Sequence, residues 1–166
     1  ADSGMLDLSK DIVKINEMAG TAFELFKPAA EMKNIEFNLK LPTQPVIVSG
    51  DVNRLQRVIS NLLDNSIKYT PEKGRIMISV DSGDSCVQIN VSDTGCGISE
   101  ADVKNIFDRF FRCDTSRSQP GNGLGLSLAQ SIVKAHGGII SVESKLGAGS
   151  SFKVSLPVHS SICRMK

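Results

Sequence analysis

"RIMISVDSGDSCVQINVSD", residues 75–93, alternates apolar and polar residues on both sides of Ser82-Gly83-Asp84-Ser85. Period two marks a strand with one buried face, and turn residues between two such runs predict a hairpin. Residues 139–158, "IISVESKLGAGSSFKVSLPV", repeat the pattern around the Gly-rich turn "GAGSSF". Upstream, "IEFNLKL" places Ile35, Phe37, Leu39 and Leu41 at strand spacing, and "PVIVSG" reads as a second short strand. Residues 52–69 and the stretch "LGLSLAQSIVKAHGG" read as amphipathic helices, the latter stopped by Gly137-Gly138. Residues 99–107 predict a short helix with Ser99 as N-cap and Asp102 at the capping-box position. Residues 5–33, broken only by Gly20 and Pro28, predict a helical lead-in followed by a helix. Residues 108–123 are polar and aperiodic, a loop long enough to suggest function. The class is α+β: a two-layer α/β sandwich with a mixed, mostly antiparallel sheet and helices packed on one face.

The chain has 166 residues, 40% hydrophobic and 22% charged, which suits one globular domain. A net charge of +1 gives no nucleic-acid footprint, so no nucleic-acid partner is expected. No apolar run has the length of a membrane span, and the polar N-terminus has no signal-peptide pattern. The four cysteines, Cys86, Cys96, Cys113 and Cys163, form no C-x-x-C pair, so reduced thiols are expected rather than a zinc site or disulfide framework. The sequence has the character of a piece of something larger.

"NLLDNSIKY" (61–69) is the unusual part of the helix at 52–69. Leu55, Val58, Ile59, Leu62 and Leu63 form one apolar arc. Asn61, Asn65 and Lys68 fall on a stripe roughly 60° wide that borders this arc at Val58, where a pocket could open. Asparagine suits neither a helix interior nor a dry core. A carboxamide oxygen is a hard donor suited to Mg²⁺, and a lysine is a point charge suited to phosphate. A solvated polar face is the competing reading, and this segment alone leaves both open.

The glycine-rich segments are individually weak. "DTGCGI" (93–98) follows a strand and signals a tight turn, with Cys96 at its variable position. "GNGLGLSL" (121–128) puts alternate glycines before a helix, where backbone N–H groups face an anion. It is neither a Walker A motif nor a dinucleotide fingerprint. Taken in order, N-x-x-x-N-x-x-K-Y, D-x-G-x-G, F-x-R-F-F-R, G-x-G-L-G-L and G-x-G-S-x-F resemble the catalytic, ATP-binding domain of sensor histidine kinases. That family belongs to a superfamily with gyrase, heat-shock chaperones and mismatch-repair ATPases. The resemblance runs from about Ile35 to Pro157.

It implies a Bergerat-type ATP-binding fold, with ATP and Mg²⁺ as cofactors. It implies that Asn65 ligates Mg²⁺ with help from Asn61, that Lys68 contacts phosphate, and that Tyr69 lies against the base. Asp93 would accept a hydrogen bond from the adenine amino group, an ionised carboxylate being acceptor-only. Gly95, Gly97 and Ile98 would line the base, with Ser150 near the adenine where the family usually has threonine. Gly121, Gly123, Leu124, Gly125 and Leu126 would hold the phosphates. Residues 109–122 would be a lid, with Arg112 as a γ-phosphate contact, Arg117 as a weaker one, and Phe107, Phe110 and Phe111 as anchors or plain core. Asn61, Lys68 and Arg112 would be the catalytic set.

The resemblance further implies residues 1–20 as the end of a dimerisation and phosphoacceptor helix with its linker, 21–158 as the catalytic domain, and 159–166 as a tail. The partners implied are the parent's own dimerisation domain, a response-regulator receiver domain and a second copy in a parent homodimer. The domain would be cytoplasmic, whether or not its parent is anchored in the inner membrane. In the gyrase and chaperone branch a glutamate at the position of Asn61 activates water. Asn61 is no base at neutral pH, which favours phosphotransfer to a histidine. Neither histidine of the chain lies in an H-E-x-R-T-P-like segment. His136 ends a helix and His159 lies in the tail, so this chain is expected to bind Mg·ATP without labelling itself. An anti-sigma-type serine kinase and a non-catalytic docking module are the alternatives.

Overall fold

A computed structural model describes residues 7–109, 111 and 125–158. Five strands form the main sheet in the order β2-β4-β5-β7-β6. They are β2 (Glu36–Lys40), β4 (Arg75–Ser82), β5 (Cys86–Asp93), β6 (Ile139–Lys145) and β7 (Gly149–Pro157). β4–β5, β5–β7 and β7–β6 are antiparallel, while β2 runs parallel to β4. Both hairpins expected from period two are present.

Alternation decides which face the helices cover. Ile76, Ile78 and Val80 of β4, Val87, Ile89 and Val91 of β5, and Phe152, Val154 and Leu156 of β7 are all buried. Against them pack α1 (Ile15–Met32), α2 (Val52–Tyr69) and α4 (Gly125–Ala135). The fold is therefore an α+β sandwich with its helices on one face of a mostly antiparallel sheet. Each such side chain contributes about 1.5–3 kcal/mol when fully buried, which is why the helical layer is held firmly.

α2 buries Leu55, Val58, Ile59, Leu62, Leu63 and Ser66, the apolar arc plus one serine. Its N-cap is Asp51, whose Oδ1 accepts from the Arg54 N–H at 3.2 Å. At its other end the Lys33 ammonium donates to the carbonyls of Ile67 (2.7 Å) and Lys68 (3.1 Å). A cation there complements the helix dipole.

Two local expectations are corrected. The helical lead-in is a strand, β1 (Asp11–Lys14), paired antiparallel with β3 (Ile47–Gly50). Ile12 and Val13 are β-branched and alternate, Val13 in the core and Ile12 exposed, and the β3 edge supplies the backbone partners. α1 then runs unbroken through Gly20 and Pro28, so residue 20 falls inside a helix whose Ile15, Met18 and Ala19 are core. The helix predicted over 99–107 is shorter: α3 (Glu100–Val103) starts at Ser99, whose Oγ accepts from the Asp102 N–H at 3.1 Å. Four-residue turns follow it, bringing Ile106 into the core and Phe107 edge-on to Phe152, ring centroids 6.4 Å apart.

The cysteine expectation also fails at one position. Cys86 is disulfide-bonded, while Cys96 is a free, half-buried thiol. Scattered spacing tests for local metal motifs and says nothing about pairing through the fold.

Candidate functional site

Asp93 ends β5, and three groups hold its carboxylate. Oδ1 accepts from the Gly95 N–H at 2.9 Å and the Ser150 N–H at 3.2 Å. Oδ2 accepts from the Ser66 hydroxyl at 3.1 Å. Burial pushes the carboxyl above its ordinary 3.8, and the bonds from Gly95, Ser66 and Ser150 pull the other way. A carboxylate oxygen has about two acceptor sites, so Oδ1 is filled and Oδ2 keeps one.

The glycines of "DTGCGI" fold this loop between two elements. A Cβ on Gly95 would lie 2.5 Å from the Tyr69 carbonyl oxygen and 2.9 Å from Asp93 Oδ1. Gly97 has φ +74°, and a Cβ there would run into the Lys145 carbonyl. Cys96 N–H donates to the Tyr69 carbonyl (3.1 Å), and the Cys96 carbonyl accepts from Gly147 N–H (2.7 Å). Ile98 N–H donates to Ser144 Oγ at 2.8 Å. The loop thus bridges the end of α2 to the β6–β7 turn.

On α2, Asn61 Nδ2 donates to the Gly125 carbonyl at 3.1 Å, tying α2 to the start of α4. Its Oδ1 and the whole Asn65 carboxamide have no hydrogen-bond partner among the described residues. Lys68 Nζ lies 3.2 Å from Asp64 Oδ2, one turn back on the same helix. Asn61, Asn65, Lys68 and Tyr69 are all half-buried, at the rim of the core as the helical wheel requires. Leu126 packs partly buried against the core. Arg112, Arg117, Phe110, Gly121, Gly123 and Leu124 lie outside the described residues. Phe107 and Phe111 pack on the core.

Sequence reasoning missed Ser66. The signal was there: Ser66 is one heptad beyond Ile59 and four residues beyond Leu62, a hydroxyl on the buried arc. It also missed Ser144. That hydroxyl accepts from Ile98 N–H and donates to the Gly149 carbonyl (2.9 Å), so its 2.8 Å bond to Ser150 Oγ takes the proton from Ser150. Ser144 sits on a strand with no motif, and only the register opposite Ser150 gives it a role.

The family model described as histidine kinase-, DNA gyrase B- and HSP90-like ATPase matches residues 50–160, which include the α2 stripe, the Asp93 loop and Ser150. The chain belongs to this ATPase family. Among relatives of this ATPase domain, adaptive-response sensory kinase SasA of Synechococcus sp. (strain JA-3-3Ab) is 46% identical over 133 residues, covering 80% of this chain and 35% of SasA. The chain therefore spans about a third of that relative's length. The catalytic domain of histidine kinase ThkA superposes with a TM-score of 0.79 at 29% identity, over 92% of this chain and 98% of that one. ThkA in complex with the response regulator TrrA matches at 0.77 and 28%, over 90% of this chain and 42% of that one. Full-length ShkA in complex with AMPPNP matches at 0.83 and 28%, over 95% of this chain and 33% of that one.

The ATPase domain's two histidines differ in what is known of them. His136 Nδ1 lies 2.8 Å from the Ile132 carbonyl, and Nε2 accepts from the Asp51 N–H at 3.0 Å. The bonding assigns the proton to Nδ1 and commits both nitrogens. His136 keeps the predicted helix-end role and adds a link to the α2 cap. His159 lies outside the described residues.

Proposed function

We propose that this domain binds ATP with Mg²⁺ and, within its parent protein, transfers the γ-phosphoryl to a histidine on a dimerisation domain, for relay to a response-regulator aspartate. The observation that carries the reading is the Asp93 carboxylate, fixed on three sides with one acceptor site left; on α2 the Asn65 carboxamide has no hydrogen-bond partner among the described residues. The first fits a base that presents an amino donor. Guanine, with a carbonyl in that place, meets repulsion.

The residues present also fit Mg²⁺. Asn65 offers a carbonyl oxygen, and because Asn61 spends its Nδ2 on Gly125, its Oδ1 is the atom left over. In this reading phosphates and water complete the coordination of the ion. When bound, Mg²⁺ would neutralise polyphosphate charge. Lys68 pairs with Asp64 one turn back on the same helix, and in this reading its ammonium contacts phosphate as a point charge. Tyr69, Gly95, Gly97, Ile98 and Ser150 line the base in this reading. Gly121, Gly123, Leu124, Gly125 and Leu126 cradle the phosphates, and Arg112 reaches the γ-phosphate.

Asn61 cannot take a proton from water, so the γ-phosphoryl waits for a better nucleophile. This supports transfer over hydrolysis. Catalysis is then mostly positioning and electrostatics. Likeness to ThkA in its complex with the response regulator TrrA supports a receiver-domain partner. We assign the residues before Asp11 to the connection with the dimerisation domain, the parent to a homodimer, and the domain to the cytoplasm. No helix among the described residues is long and apolar enough to cross a membrane.

The test is nucleotide binding with and without Mg²⁺. ADP binding strengthened by Mg²⁺, and weakened by Asn65→Ala only when Mg²⁺ is present, is expected. Binding indifferent to both would contradict the metal assignment.

A further inference from the structure

We propose that Ser66 is a positioning residue for base recognition, its hydroxyl orienting the Asp93 oxygen that meets the amino group of adenine. The inference rests on the ATP-binding reading and deepens it. Oδ1 of Asp93 already accepts two backbone N–H bonds, from Gly95 and Ser150. An incoming donor is therefore left with Oδ2, the oxygen that Ser66 holds at 3.1 Å.

Ser66 is 2% exposed on a helix whose neighbouring buried positions, Leu62 and Leu63, are apolar. A buried serine on a helix usually bonds back to the carbonyl one turn earlier. Ser66 instead reaches across to β5. Its proton must go to the carboxylate, which is acceptor-only when ionised. The bond therefore favours the ionised form, the form that receives an amino donor most strongly, and fixes the rotation of the carboxylate plane. Burial raises the proton affinity of Asp93 and the Ser66 bond opposes it. Among the described residues no titratable side chain is bonded to Asp93: besides Ser66, its partners are backbone N–H groups of the same loop and of β7. Ser150 cannot substitute, because its hydroxyl proton goes to Ser144.

Ser66→Ala tests this, since alanine keeps the helix and removes only the hydroxyl. Mg·ADP affinity is measured by calorimetry from pH 5 to 8 on the unaltered chain, Ser66→Ala and Asp93→Ala, with thermal melts of each in the absence of nucleotide. The expected result is an affinity loss of about tenfold at neutral pH in Ser66→Ala, because the carboxylate is no longer held in the orientation that meets the donor. Its acid limb should also move to higher pH, and the melt should fall modestly, because the same bond is lost from the nucleotide-free fold. Ser66→Cys, a weaker donor, should fall between the two. Should Ser66→Ala fold poorly, Ser66→Cys carries the test: an unmoved acid limb in that folded variant overturns the proposal. Binding lost in Asp93→Ala but unmoved at every pH in Ser66→Ala would overturn this inference alone. No binding by the unaltered chain would overturn the ATP reading and this inference with it.

Discussion

The role proposed for Asp93 and its burial pull against each other. An ionised carboxylate accepts a donor most strongly, yet burial makes Asp93 hold its proton above the ordinary 3.8. A folded-state value above the unfolded one means that the folded chain binds more protons in that window. Stability from this group is present at low pH and is lost as pH rises through the folded value. Asp93→Asn removes that loss. Its carbonyl can still accept from Gly95 and Ser150, and its amide can donate to Ser66. The variant should melt no lower than the unaltered chain at pH 7, with the difference shrinking on acidification. A melt lowered by many degrees at pH 7 would contradict this reading of the carboxylate. Nucleotide binding by the unaltered chain should weaken as pH falls toward the raised value, earlier than an ordinary carboxylate would allow. At this scale the sequence was informative about Asp93 and Asn65, because charge and carboxamides stand out against apolar neighbours. It was silent on Ser66 and Ser144, whose partners are 27 and 6 residues away and are set by packing and register.

At the scale of elements, α2 joins core and site in one helix. Leu62 is wholly buried on one side while Asn61 and Asn65 reach the rim. Leu62→Ala should cost about 2–5 kcal/mol in denaturant unfolding, with nucleotide affinity falling only as far as the folded fraction does. The Asp93 loop depends on glycine for a different reason. Gly97→Ala combines positive φ with a clash against Lys145, so it should cost about 2 kcal/mol or more. A neutral Gly97→Ala would show that the loop and the β6–β7 turn separate easily. The hairpins and α2 were legible because periods of 2 and 3.6 persist over seven or more residues. β1 was not: four residues carry too little period, and its strand character comes from β3, some 35 residues downstream. The short α3 likewise yields to the demand that Ile106 and Phe107 both face the core.

At the scale of the whole molecule, the described residues hold a five-stranded sheet and a helical layer, and neither histidine of the chain lies in an acceptor segment. His136 has both nitrogens engaged and braces the α2 cap against α4. Incubation with γ-labelled ATP should therefore leave the chain without stoichiometric acid-labile label. Rapid labelling of His136 would contradict the assignment. The order of the motifs along the chain made the family legible, since each alone is only a turn or a polar helix face. What remained hidden was the network that joins them, Asn61 to Gly125 and Ser66 to Asp93, because hydrogen bonds between elements leave no periodic trace.

Calorimetric titration with Mg·ADP and Mg·GDP, on the unaltered chain and on Asp93→Asn, reaches the central claim most directly. The account predicts saturable heat with ADP, a preference over GDP on the order of a hundredfold or more, and loss of that preference in Asp93→Asn. Equal affinity for the two nucleotides, or ADP binding unchanged by Asp93→Asn, would contradict it.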